Sequence, residues 1–332
     1  MATIERHEYT LETLHEARRV TAKALDRCDT ARAAEAHALV ILLLKGIGRV
    51  REALLESVAF FDRARAEPPS VPVVSKDLIV AGCRASVMAA IATPEVPVAA
   101  VRESLGEVRR MCERRAVSSN VVDQLEFELD ATLDPERDWS SRSRALTTRF
   151  KKEAYALNCS ECATLRFAWR HRAHLTQAET ARLVELHPGC LADRGHHLKA
   201  EFLLRNRRLV AADAQLQSAI AALSIKALPV PLLQTGLAIA RARRSRVDVV
   251  TRLTQLDAAL VDYEYPYDEF EVRLEVIRLA SARLLPRRLP PRLLDNERKA
   301  AVLAHRIDAR APSSQFRQRL ADELSRCSKR TP

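Results

Sequence analysis

The sequence has few of the residues that build β-hairpins and phosphate-binding loops. Only 7 of its 332 residues are glycine, aromatic residues make up 5%, and no Asn-Gly or Asp-Gly pair occurs. Tight β-hairpin turns favour such glycine-bearing pairs, and glycine-rich loops form the common phosphate-binding motifs. The sequence also lacks Gly-x-Ser-x-Gly and His-Glu-x-x-His patterns. We therefore expect a protein that is not an enzyme and uses no cofactor.

Long apolar runs are missing as well. The longest, from Ala38 to Leu44, is far shorter than the roughly 20 residues that span a bilayer. The first residues, Met-Ala-Thr-Ile-Glu-Arg-His-Glu, have no signal-peptide pattern. We expect a soluble, cytoplasmic protein without membrane insertion, although leaderless export leaves no such mark. The seven cysteines are scattered, so we expect reduced and mostly buried thiols.

The residues that are abundant favour helices. Apolar residues make up 47% of the chain and charged residues 29%, and alanine, leucine, arginine and glutamate dominate, which are good helix formers. Apolar side chains recur three or four residues apart, as in Val249, Leu253, Leu256 and Leu260, which is the spacing of one helix face. A few polar residues join successive helices, so neighbours must run antiparallel. The pattern predicts an all-α fold.

The chain is strongly basic, and its positive charge is mostly arginine. The net charge is +11 with 45 arginines and 9 lysines, and the pI is about 9.6. Arginine suits bidentate recognition of phosphate and carboxylate. A GC-rich coding sequence, which favours alanine and arginine together, is the alternative explanation. The charge is in either case suited to acidic partners.

Similar turns recur along the chain. Leu44, Leu203 and Ala240 are each followed by an arginine, at Arg49, Arg208 and Arg246, and then by a small apolar residue, which indicates a period near 40 residues. The segments Gly48–Leu54 and Leu203–Leu223 resemble tetratricopeptide-type helical repeats. The tryptophan, glycine and tyrosine positions of that family are not filled, and its period is about 34. A looser fourth turn is Arg288-Leu289.

This resemblance implies an α-solenoid of antiparallel helix hairpins that serves as a protein–protein interaction scaffold or adaptor, with the partner on its concave face. An irregular helical bundle is the alternative fold. We predict one helical-repeat array over residues 1–332. It has a sub-division near 134–140 into 1–133 and 141–310, followed by a polar C-terminal helix or tail at 311–332. The oligomeric state is left open.

Arginines cluster at the turns of successive hairpins. Equivalent turns of a stacked array lie along one edge, so these arginines predict a basic ridge for an acidic surface or peptide of another protein. Nucleic acid is the alternative partner, although no aromatic residues alternate with the arginines to stack on bases. Arginine also complements the C-terminal end of a helix without any partner. The ridge residues are Arg205, Arg207, Arg208, Arg241, Arg243, Arg244, Arg246, Arg287 and Arg288, with Arg292 nearby.

Three of the five tyrosines lie together in Tyr263-Glu264-Tyr265-Pro266-Tyr267. An acidic, tyrosine-rich loop is typical of an interaction surface, so Tyr263, Tyr265 and Tyr267 are further candidate contacts. The alternative is a linker whose rings cover the edge of the core.

Cysteine and histidine concentrate in one part of the chain. Thiolate and imidazole groups are the usual zinc ligands, and Cys159, Cys162, His187 and Cys190 come from neighbouring predicted helices. On one helix, however, Cys162 and His171 would be about half a turn out of phase. We predict no metal site, and zinc at these four residues is left open.

Overall fold

The computed structural model describes residues 11–66, 73–114, 120–134, 192–223, 230–261, 263–311 and 315–328, with scattered positions between 141 and 181. Over these residues it contains 13 α-helices and no strand, which confirms the all-α class. A short 3-10 helix, Pro291–Leu293, precedes α12. The helices are α1 (Leu11–Asp26), α2 (Thr30–Gly46), α3 (Val50–Ala66), α4 (Val73–Ala92), α5 (Val98–Arg114), α6 (Asn120–Leu133), α7 (Ala192–Arg205), α8 (Leu209–Ala221), α9 (Val230–Ala242), α10 (Arg246–Ala259), α11 (Pro266–Ser281), α12 (Asn296–Arg310) and α13 (Phe316–Ser328).

Neighbouring helices pack as hairpins, and successive hairpins pack on each other. Helix α2 packs on α1, α3 and α4, and α4 packs in turn on α5 and α6. In the later part of the chain, α9 packs on α7, α8, α10 and α11. Each central helix thus contacts the next helix and the next but one, as hairpin stacking requires. The regular period near 40 residues remains a prediction.

The apolar stripes explain this packing, with one difference from expectation. Val249, Leu253 and Leu256 are fully buried on α10, as their spacing predicts. On α3 we expect Val58 and Phe61 to face the core, but Val58 is 70% exposed and Phe60 is buried instead. Val50, Ala53 and Ser57 are buried as expected, and Phe60 replaces Phe61 on the buried face, where its ring meets His37 of α2 and lies against Gly82 of α4.

Two helices have a proline in their first turn. The apolar pattern predicts that α11 begins at Phe270, but it begins at Pro266, and α9 contains Pro231 in its first turn. Proline is tolerated there because the first N–H groups of a helix have no partner within that helix.

Contacts distant in sequence join the early helices to the late ones. The backbone N–H of Glu264 donates to the carbonyl of Gly48 at 2.9 Å. Helix α12 meets the turn between α4 and α5, where Arg310 donates to the carbonyl oxygens of Ile91 at 2.5 Å and Thr93 at 3.2 Å. In a linear solenoid each repeat contacts only its neighbours, so these contacts are additional to the hairpin stacking.

An ion pair accompanies the contact of α12 with the α4–α5 turn. The guanidinium of Arg306 donates twice to Glu95, at 2.8 and 2.5 Å. Burial is the largest single effect and raises the pKa of Glu95, but the hydrogen bonds and charge of Arg306, a backbone hydrogen bond and the charge of Arg51 together bring the pKa below its ordinary value.

Candidate functional site

Three hairpin turns share an unusual backbone conformation. Arg207 and Arg244 have φ of 56° and Arg283 has φ of 55°, the left-handed region that favours glycine. After each of them, the next backbone N–H bonds a carbonyl five residues earlier, which is the Schellman ending of a helix. The same ending occurs at Cys28 and Gly48. Cys28 is exposed at its turn, whereas Cys83 and Cys112 are buried.

This conformation corrects the register of two expected turns. The residue after the left-handed position is Arg49 in the α2–α3 turn and Arg208 in the α7–α8 turn, as the sequence predicts. In the α9–α10 turn it is Ser245 rather than Arg246, and Val249 is buried while Val250 is 46% exposed. The fourth equivalent turn lies at Arg283, not at Arg288-Leu289.

Two arginine side chains connect successive turns in space. Arg243, in the α9–α10 turn, donates to the carbonyl of Leu209 at 3.1 Å, where α8 begins. Arg246 reaches the carbonyl of Arg283 at 3.4 Å. The turns at Arg207, Arg244 and Arg283 therefore lie side by side in one row. We call the exposed arginines of this row the arginine edge: Arg207, Arg208, Arg244, Arg246 and Arg283.

The other ridge candidates divide into two groups. Arg241 pairs with the buried Glu275 at 2.5 Å, and Arg243 pairs with Asp213 at 3.0 Å. Both cations are neutralised within the chain and hold neighbouring helices together. Arg205, Arg287, Arg288 and Arg292 are exposed, and Arg292 lies 3.6 Å from Asp257.

Two valines on the arginine edge have no counterpart among the predicted site residues. Val210 is 80% exposed and Val247 is 77% exposed, in the first turns of α8 and α10. Each follows the left-handed arginine of its turn by three residues. The sequence does indicate their exposure, because both valines lie outside the apolar stripes of their helices. They were missed because an apolar residue next to a stripe is easily counted as part of the buried face. The edge is thus both basic and apolar, with one exposed carboxylate at Asp248 in the first turn of α10.

The three candidate tyrosines lie in contacts within the chain. Tyr265 donates its hydroxyl hydrogen bond to the carbonyl of Lys45 at 3.0 Å, and Tyr263 donates to Asp268. The ring of Tyr267 meets Phe316 edge-on with centroids 5.8 Å apart, and burial raises the pKa of Tyr267. These rings cover the junction between early and late helices.

The four residues of the zinc hypothesis lie outside the described residues. In the part of the chain that the structure describes, no three His, Cys, Asp or Glu side chains are grouped as metal ligands would be. No helix among the described residues is long and apolar enough to cross a membrane.

Comparison of the chain with protein-family models, curated proteins and solved structures gave no match.

Proposed function

We propose that this protein is a helical scaffold that binds an acidic segment of a partner protein through the arginine edge. The observation that supports it most is the row of three turns, each with an exposed arginine in the left-handed conformation. Successive turns present their cations side by side, which suits a run of carboxylates.

The fold itself does not need arginine at these positions. A residue other than glycine costs roughly 1–2 kcal/mol in this conformation. At the equivalent position of the α2–α3 turn the chain has Gly48, and there the ring of Tyr263 covers the turn. Glycine thus occurs at the covered turn, while Arg207, Arg244 and Arg283 occur at exposed ones. Residues held in such a backbone conformation are found at functional sites.

The valines favour a protein over nucleic acid. Val210 and Val247 offer apolar contact between the arginines, whereas a phosphate backbone needs cations and polar donors. No aromatic side chain among the described residues of the edge is placed to stack on bases. The net charge of +11 supports the alternative of nucleic acid, and the same experiment tests both.

The test measures binding of the full-length protein to a labelled 20-residue glutamate-rich peptide and to a 20-base-pair duplex RNA. The edge variant changes Arg207, Arg244 and Arg283 to glutamate, and the control changes Arg27, Arg32 and Arg298, which are also exposed. We expect the edge variant to bind the peptide at least about tenfold more weakly than the wild type, and the control variant to bind it with wild-type affinity. Equal losses in both variants would contradict the proposal. Edge-dependent binding of the duplex but not of the peptide would favour nucleic acid.

A further inference from the structure

The α2–α3 and α7–α8 turns have the same backbone. In both, an N–H bonds a carbonyl five residues earlier at 2.9 Å, from Arg49 to Leu44 and from Arg208 to Leu203. A fully buried alanine, Ala53 or Ala212, follows at the same spacing. Gly48 thus corresponds to Arg207, and Arg51 corresponds to Val210.

A segment of the chain itself occupies the α2–α3 turn. Glu264 donates its N–H to the carbonyl of Gly48, and its carboxylate accepts the N–H of Arg51 at 2.8 Å. The next residue, Tyr265, donates to the carbonyl of Lys45 at 3.0 Å. The segment therefore combines one carboxylate on a helix N-terminus with one aromatic ring against the preceding turn.

Among the residues that the structure describes, no such segment bonds to the α7–α8 turn, although its backbone is the same. Val210 is 80% exposed, and Arg207 and Arg208 are exposed beside it. Within the described part of the chain, no side chain caps the N-terminus of α8. By contrast, Asp29 accepts the N–H of Arg32 in α2, and Ser245 accepts the N–H of Asp248 in α10.

The α7–α8 turn differs from the α2–α3 turn in charge and in shape. Arg207 replaces Gly48, which adds a cation and a Cβ atom. A Cβ at Gly48 would lie 2.7 Å from the ring of Tyr263. Because Arg207 has a Cβ at the equivalent position, a bulky residue at the position of Tyr263 does not fit the α7–α8 turn. Arg207 places a cation at the left-handed position itself, while Val210 takes the place of Arg51, so exposed guanidinium groups favour a carboxylate at both turns.

We propose, on the basis of the proposed function, that the α7–α8 turn binds an extended partner segment with the pattern small residue, glutamate, aromatic residue. The glutamate accepts the N–H of Val210 and pairs with Arg207 or Arg208. The aromatic ring lies against the end of α7, as Tyr265 lies against Lys45 at the end of α2, and the exposed Val210 adds apolar contact beside the glutamate. Charge complementarity and the Glu264 contact within the same chain specify this occupant.

The probe is a fluorescein-labelled peptide, Gly-Ser-Ala-Glu-Tyr-Pro-Gly, and its matched control has Gln in place of Glu. Fluorescence anisotropy with the full-length protein measures both affinities. We expect the Gln peptide to bind about fivefold more weakly or worse, since a charged hydrogen bond is lost. A third peptide with Tyr in place of Ala is expected to bind more weakly than the probe, because Arg207 has a Cβ where Gly48 has none.

Arg208→Asp is the test variant, since aspartate at this position caps α8 from within the chain. We expect it to raise the thermal midpoint and to abolish binding of the probe. Arg27→Asp is the matched control, because Asp29 already caps the helix after that turn; it is expected to bind normally. Equal affinities for the Glu and Gln peptides, or unchanged binding by Arg208→Asp, would overturn the inference.

The two proposals fail separately. If the glutamate-rich peptide binds through the arginine edge but the Glu and Gln probes do not differ, the assignment of the α7–α8 turn is wrong and the scaffold proposal stands. If no acidic peptide binds, both are wrong.

Discussion

The carboxylate of Glu264 accepts a hydrogen bond from the backbone N–H of Arg51 at 2.8 Å, across 213 residues of sequence. The first N–H groups of a helix have no hydrogen-bond acceptor within that helix. In α3 a residue distant in sequence supplies an acceptor for one of them. The same contact joins the early helices to the late ones. It makes Glu264 a structural residue and supplies the template for the acidic partner segment.

Replacement of Glu264 by alanine is expected to lower the free energy of unfolding by about 1 kcal/mol, because helix α3 loses its cap. Glu264→Gln is expected to recover part of the loss, since its amide oxygen still accepts a hydrogen bond. Urea denaturation of the full chain measures both. Glu103→Ala, at an exposed position of α5, is the control and should change stability by less than about 0.5 kcal/mol. Equal effects at Glu264 and Glu103 would show that the contact contributes nothing.

Replacement of Arg244 by glycine is expected to stabilise the fold by about 1 kcal/mol, since its left-handed conformation then carries no Cβ penalty. Arg207→Gly and Arg283→Gly are expected to act alike. Thermal or urea denaturation measures the gain. Arg110→Gly, in the interior of α5 and exposed, should instead destabilise by about 1 kcal/mol. The triple glycine variant is also expected to bind the glutamate-rich peptide more weakly, so that stability and binding change in opposite directions.

Two helical glycines are expected to respond oppositely to alanine. A Cβ at Gly82 would lie 2.7 Å from both Ala38 and Phe60 and 2.9 Å from the backbone of Ala38, so Gly82→Ala should destabilise by about 1–3 kcal/mol through overpacking. A Cβ at Gly106 would meet only Arg110, at 3.8 Å, so Gly106→Ala should stabilise by about 1 kcal/mol. Urea denaturation of both variants measures the two changes in the free energy of unfolding. If both variants were stabilised, the close packing of α2 on α4 would be contradicted.

His37 is held in one neutral form by its two partners. Arg63 lies 2.6 Å from Nδ1, and because arginine only donates, Nδ1 must accept. Nε2 then carries the proton and donates to Glu56 at 3.0 Å. Burial, followed by the charge of Arg63, lowers the pKa of His37, and these effects outweigh the attraction of Glu56.

Stability is therefore expected to fall with decreasing pH through this residue. A histidine whose pKa is lowered in the folded state takes up its proton more readily when unfolded. Its contribution is fully present above the ordinary pKa of 6.5 and is lost as the pH falls through the lowered value. Urea denaturation from pH 8 to pH 5 should show a smaller slope for His37→Gln than for the wild type. His305→Gln, at an exposed position, should keep the wild-type slope.

Local patterns were sufficient where a structural feature depends on neighbours in sequence. The stripe Val249, Leu253 and Leu256 predicts both the helix α10 and its buried face, because residues three and four apart share a helix face. The hairpin turns were also predicted, since helices end at short polar segments. The register at Ser245 was missed by one residue, because adjacent arginines hide which of them takes the left-handed conformation.

The all-α class, the hairpins and the arginine-bearing turns were determined by the sequence itself, through periods and breaks that act over a few residues. The tertiary structure alone decided which arginines are available. Arg241 is neutralised by Glu275, 34 residues away, while Arg207 and Arg244 are exposed. It also decided that Tyr265 and Glu264 cover the α2–α3 turn and that Val210 is exposed. These features depend on which helices pack together. Contacts between residues tens to hundreds of positions apart produce no periodic pattern in the sequence, so the sequence alone does not reveal them.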